Sequence, residues 1–215
     1  MQRCKLRKSV GLIVFACLVM VGLFSTIHIA TADDAADVLA RDSILRGPEI
    51  PSLGNPKGDV TIVEYFDYQC PYCKKIAPEL AKVIKDDGNI RFVLKDWPIF
   101  GHLSSEAAKL AYAAKYQNKY TQAHDALIGA KKRLTSGNVE EILVLAGIDL
   151  ARAKADRITH EQSIDALFAR NNAQAEALGF QGTPAFIVGT FRVPGVPTAD
   201  QFKQMIADVR AGKGK

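Results

Sequence analysis

The rhythm of apolar and polar residues divides the chain into segments. After a basic start, Val10 to Phe24 is an apolar run without a polar break. Asp33 to Leu45 has apolar residues at 35, 36, 38, 39, 44 and 45, which predicts a short amphipathic helix. Gly47, Pro48, Pro51, Gly54, Pro56 and Gly58 then predict a turn-rich linker, with the main domain beginning near Lys57. Val60 to Phe66 (VTIVEYF) is β-branched and aromatic and predicts a strand; Pro71 to Asp86 predicts a helix, and Ile90 to Leu94 (IRFVL) a second strand. The connections are long enough to make these two strands a parallel pair around a crossover helix.

From His102 to about Leu178 the period becomes helical throughout. Segments near 104–117, 121–130, 138–146, 149–158 and 161–178 are rich in Ala and Leu, with Gly129, Gly137 and Gly147 at their turns. Strand patterns return at Ala185 to Val188 and Phe191 to Val193, and Thr198 is placed to cap a last helix carrying Phe202, Ile206 and Val209 on one face. The expected architecture is α/β, with a helical insertion at about 100–180 inside a domain of residues 58–215. Residues 33–57 are the expected N-terminal helix and linker, and residues 1–32 a separate leader.

Composition fits an ordinary globular chain: 215 residues, 48% apolar and 24% charged, with four cysteines. It excludes disulfide-dense, collagen-like and coiled-coil classes. The net charge of +5 first suggests a nucleic-acid partner. Four basic residues, Arg3, Lys5, Arg7 and Lys8, precede Ala32 and no acid does, which leaves only +1 on the rest. No electrostatic footprint for DNA or RNA remains.

The leader reads as an export signal: a basic start to Lys8, the apolar run, then Ala30-Thr31-Ala32 as a small-x-small cleavage pattern before Asp33-Asp34. An uncleaved inner-membrane anchor is the alternative, since Val10 to Ile29 is just long enough to span a bilayer. In both cases the rest of the chain is expected outside the cytoplasm, in the periplasm. Cleavage discards Cys4 and Cys17 and leaves Cys70 and Cys73.

Cys70-Pro71-Tyr72-Cys73 directly follows a predicted strand and opens a predicted helix. Pro71 suits the first helical turn, where its missing N–H is not needed. Cys70 then stands beside the free N–H groups and the positive end of the helix dipole, which favours a thiolate. Cys73 lies one turn on, facing the same side. Redox catalysis is the leading reading. An inert disulfide, a zinc site using two of His102, His124 and His160, or two unrelated thiols stand beside it; so small a loop makes a poor staple, and there is no second CxxC or His-x-x-x-His pair.

Cys70-Pro71-Tyr72-Cys73-Lys74-Lys75-Ile76-Ala77-Pro78 resembles the active-site helix of thioredoxin-fold proteins, including the proline five residues after the second cysteine. Gly182-Thr183-Pro184-Ala185-Phe186 resembles the loop in which such proteins hold a threonine before a cis proline. With the helical insertion between the second and third core strands, residues 54–211 resemble the DsbA-like class of secreted thiol-disulfide oxidoreductases. The segment GNPKGDVTIVEYFDYQCPYC is especially similar to its DsbA/Com1/ScsC branch.

The resemblance implies a thioredoxin fold, catalytic Cys70 and Cys73, and support from Pro71, Tyr72, Thr183 and Pro184. It also implies a buried acid at Glu64, beneath the disulfide. Strand alternation puts Ile62, Glu64 and Phe66 on one face, so Glu64 is either buried or faces solvent, and Lys95 is the expected partner if it is buried. Trp97, Phe100 and Tyr68 are expected in the core or along a shallow peptide groove; the three histidines at caps or on the surface; and Lys131-Lys132-Arg133 as solvated charge.

The implied activity is oxidation of cysteine pairs in exported proteins, by a monomer without cofactor or metal that a membrane-bound DsbB-like partner reoxidises. A periplasmic reductase or isomerase served by an electron donor, and a peptide-binding module without chemistry, are the alternatives.

Overall fold

The computed structural model describes residues 39–213 apart from Pro48. The leader, its cleavage pattern and residues 33–38 of the expected first helix lie outside the described residues. Among the described residues, no helix is long and apolar enough to cross a membrane.

Helix α1 (Arg41–Leu45) and a short strand β1 (Ser52–Gly54) precede β2 (Val60–Phe66), α2 (Pro71–Asp87) and β3 (Ile90–Asp96). Five helices follow: α3 (His102–Ala113), continued by a 3-10 turn at Ala114–Gln117, then α4 (Tyr120–Ile128), α5 (Ser136–Leu145), α6 (Leu150–Thr159) and α7 (Glu161–Ala177). Strands β4 (Ala185–Val188) and β5 (Phe191–Pro194) and helix α8 (Ala199–Arg210) complete the chain. The sheet order is β1-β3-β2-β4-β5, with β2 and β3 parallel and the other neighbours antiparallel. The helical insertion therefore enters between β3 and β4.

β2 has partners on both edges and layers on both faces, which is why six of its seven residues are buried. Ile62, Phe66, Phe92, Leu94, Phe186 and Val188 pack with Ile76 and Leu80 of α2 and Phe202 and Ile206 of α8. Val63, Tyr65, Val93, Ala185 and Ile187 cover the other face with Ile44 of α1 and Ala175 of α7.

The stretch read as a linker is part of this sheet. Ser52–Gly54 pairs antiparallel with Arg91–Val93, and Ile50 belongs to the second core cluster. Gly54 takes φ 70°, and a Cβ there would stand 2.5 Å from the Ile90 carbonyl oxygen, so the close approach of β1 to β3 requires glycine.

Local signals explain the helix ends. α2 starts at an N-cap cysteine followed by proline and stops at Gly88, in the left-handed region, whose N–H bonds the Ile84 carbonyl. α5 and α8 start at capping boxes, Thr135 with Asn138 and Thr198 with Gln201. At the end of α8, Arg210 donates to both Asp59, just before β2, and Asp87, at the end of α2.

Candidate active site

The chain leaves β2 through a turn in which the Cys70 N–H bonds the Asp67 carbonyl at 3.0 Å. Cys70 is the N-cap of α2, and its Sγ accepts a hydrogen bond from the Cys73 N–H at 3.3 Å. Pro71 fills the first helical position. The Cys70 thiol donates to the Thr183 carbonyl at 3.2 Å, across 113 residues of sequence, and the Thr183–Pro184 peptide bond is cis. Two distant motifs thus meet at one sulfur. Both cysteines are buried free thiols; Cys70 is flanked by exposed Pro71 and Tyr72, while Cys73 faces the core.

The two sulfurs have opposite tendencies. Hydrogen bonding from Cys73, helped by the Thr183 side chain and the backbone N–H groups of Cys73 and Tyr72, lowers the Cys70 pKa to about 6 against the cost of burial. The buried Thr183 hydroxyl has no hydrogen-bond partner while Cys70 is a thiol, so it is available to a thiolate. Burial, the neighbouring Cys70 sulfur and the Glu64 carboxyl push the Cys73 thiol well above the ordinary range. One sulfur is built to carry charge and the other to carry a proton.

Glu64 is 4% exposed, on the face of β2 that meets α2. Burial, with the Cys70 charge adding to it, raises its pKa to about 8. A cavity of about 500 Å³ beside α2 reaches it, lined also by Leu80, Ile84, Phe92 and His124.

Lys95 is not its partner. Glu64 pairs in register with Leu94, so Lys95, one residue on, points through the other face, where it is fully buried and donates to the Ser43 carbonyl at 3.3 Å. Burial, with nearby Arg170 adding repulsion, lowers the Lys95 pKa to about 7.

Tyr72 is 59% exposed beside the cysteines, and Phe100 is 51% exposed, whereas Tyr68 and Trp97 are core residues. His124 departs from the capping or surface role expected of it. It is packed edge-on to Phe66 and stacked on Tyr120, its Nδ1 shares a hydrogen bond with the Tyr68 hydroxyl at 3.2 Å, and burial lowers its pKa to about 3. His160 stacks on Tyr116, and His102 opens α3. Among the described residues, no three His, Cys, Asp or Glu side chains gather into a metal-binding group.

Asp67, which the sequence did not single out, organises the rim. Its Oδ1 accepts from the Gln69 N–H (2.7 Å) and the Ser104 hydroxyl (2.7 Å), and its Oδ2 from the Ile99 (2.8 Å) and Phe100 (3.1 Å) N–H groups. One buried carboxylate therefore joins the cysteine turn to the loop that carries Phe100.

The geometry agrees with comparisons to known proteins. A protein-family model described as thioredoxin matches residues 48–208. The chain belongs to the thioredoxin family. Within that family it is DsbA-like. A thioredoxin-like oxidoreductase from Silicibacter pomeroyi, solved by crystallography, is 39% identical, with a TM-score of 0.77 over 80% of this chain and 98% of that one. A Rickettsia conorii protein named for protein-disulfide oxidoreductase is 33% identical over 68% of this chain and 57% of its own length. The thiol:disulfide interchange protein DsbA of Bordetella parapertussis is 30% identical over 66% of this chain and 68% of its own. The thioredoxin-family chain described here thus spans just over half the length of its Rickettsia relative.

Proposed function

We propose that this protein catalyses dithiol–disulfide exchange through Cys70 and Cys73, and that it runs towards oxidation of cysteine pairs in exported proteins. The observation that carries the reading is the Cys70 sulfur at the N-terminus of α2, with a pKa of about 6 directly above a Cys73 that resists ionisation. A disulfide whose reduced form contains a stabilised thiolate is a good oxidant, because reduction releases that stabilisation. The basic and apolar leader, and the likeness to a protein named DsbA, support export to the periplasm.

In the proposed cycle a client thiolate attacks Cys70 Sγ of the Cys70–Cys73 disulfide. The client–Cys70 bond forms, the Cys70–Cys73 bond breaks, and Cys73 leaves as a thiolate. Its high pKa makes it take up a proton, and Glu64, protonated at neutral pH, is placed to supply it. The client's second thiolate then attacks its own sulfur in the mixed disulfide, forming the client disulfide and releasing the Cys70 thiolate to its donors. Two client thiols become a disulfide: one of their protons is lost to solvent, the other ends on Cys73 as solvent restores the proton of Glu64, and two electrons pass to the protein. A DsbB-like membrane partner then removes them, and the protein works as a monomer. Pro71 and Tyr72 shape the turn, and Thr183 and Pro184 hold the wall against which the client sulfur aligns.

The decisive measurement is the equilibrium of the Cys70/Cys73 pair against glutathione buffers. A potential near or above about −150 mV supports the oxidant, and one near about −250 mV reverses the direction to a reductase. In parallel, Cys70→Ser abolishes exchange and Cys73→Ser accumulates mixed disulfides. Normal turnover by Cys70→Ser sinks the reading.

A further inference from the structure

A second groove, of about 490 Å³, opens beside the reactive turn. Its floor includes Gln69 and Pro71, the two chain neighbours of Cys70, and one wall is the half-exposed Phe100 ring. The α4–α5 loop also lines it, with Lys131, Lys132 and Arg133 all exposed. Lys74 adds a fourth basic residue, fixed by donating to the Leu127 carbonyl at 2.6 Å. Among the described residues, no acidic side chain lines the groove.

Several surface cations stand against carboxylates, as in Lys109–Asp165, Lys154–Glu140, Arg157–Glu106 and Arg210 with Asp59 and Asp87. Lys131, Lys132 and Arg133 make no ion pair with any described residue. The Phe100 wall is also fixed relative to the cysteine: its N–H bonds Asp67, and its carbonyl accepts from Gln69 Nε2 at 3.1 Å.

We propose that this groove seats the client segment next to the reacting cysteine, and that it selects segments carrying Asp or Glu beside an apolar residue. The apolar side chain lies on Phe100 and the carboxylates face the 131–133 loop. A cluster of one sign next to the reaction centre raises the encounter rate of the opposite sign, and the effect is lost as salt shortens the reach of the charges. The inference rests on the exchange reading above and adds which clients the site prefers.

The test uses three peptides, each with one cysteine and the same neighbouring leucine, flanked by Glu, Gln or Lys. The rate of mixed-disulfide formation with the oxidised protein is divided by each peptide's rate with a neutral small-molecule disulfide. This cancels the effect of flanking charge on the thiol itself. At low salt the Glu peptide reacts at least about tenfold faster than the Lys peptide, and about 0.5 M salt removes most of the difference. In Lys131→Glu/Lys132→Glu/Arg133→Glu the preference inverts. Exchange at equal rates with all three peptides overturns the groove while leaving the exchange reading standing; so does a preference that survives both salt and the triple substitution. Equal rates together with binding to phosphatidylglycerol vesicles would assign the charge to a membrane surface instead. Exchange with none of the peptides removes both proposals.

Discussion

Glu64 and Lys95 sit on adjacent parallel strands, yet they point to opposite faces of the sheet. The buried carboxyl therefore faces a cavity it shares with Leu80, Phe92 and His124, and interacts with a cysteine sulfur, without help from that ammonium.

For Glu64 the consequence is a stability that falls with rising pH. Its folded pKa is raised from 4.5 to about 8, so between those values the unfolded chain loses a proton that the folded one keeps. Glu64→Gln is expected to remove that fall and to stabilise the protein at pH 7 by roughly 1–3 kcal/mol in urea titrations. The same variant should slow client oxidation at least about tenfold, because Cys73 loses its proton donor.

Lys95 works in the opposite sense. Its folded pKa is lowered from 10.5 to about 7, so in that window the unfolded chain binds more protons and stability rises with pH. Lys95→Met should flatten the rise and add roughly 1–3 kcal/mol at pH 7, the loss of one hydrogen bond to Ser43 being smaller than the relief of a buried charge. A lower melting temperature for Lys95→Met at pH 7 would contradict this.

Thiolate absorbance near 240 nm in the reduced protein should titrate with a midpoint near 6, from Cys70 alone. Because that pKa lies below its unfolded value of about 8.5, the stabilisation of the dithiol form is fully present above the unfolded pKa and is lost as pH falls through 6. Thr183→Val removes a hydroxyl that favours the thiolate and should raise the midpoint by roughly 0.5–1 pH unit. An unmoved midpoint would leave Thr183 with only its backbone role.

Asp67→Ala leaves three backbone N–H groups and the Ser104 hydroxyl without their acceptor. Each buried orphan costs about 1–3 kcal/mol, and partial rescue by water makes a total loss of roughly 3–5 kcal/mol reasonable. Chemical denaturation gives the loss. A parallel drop in exchange rate would show that the turn and the Phe100 loop are held as one unit.

Much of this was legible along the chain because it depends on local rules. Short β-branched and aromatic runs mark β2, β3 and β4, the helical period marks the insertion, and proline after cysteine marks the start of α2. What escaped depends on pairing at a distance. β1 is three residues long among prolines and glycines, and only its register with β3 makes it a strand. The side to which Lys95 points follows from the β2–β3 register, which periodicity within either strand leaves open. Asp67 is a lone carboxylate between two aromatics, and its four donors come from three segments. His124 was within reach: Tyr120, Ala123, His124, Leu127 and Ile128 form a buried stripe at helical spacing. The 131–133 loop becomes notable only once the fold brings it beside Cys70.

The bond from Cys70 to Thr183 also sets the order in which reactivity appears. As the chain leaves the ribosome, the cysteine motif emerges more than a hundred residues before the threonine that completes its surroundings. Through that interval Cys70 lacks the Thr183 contribution to its lowered pKa, which leaves the sulfur less ionised and slower in exchange. Full activation of the Cys70 sulfur therefore waits on tertiary folding, because part of its surroundings comes from a segment 113 residues further along the chain.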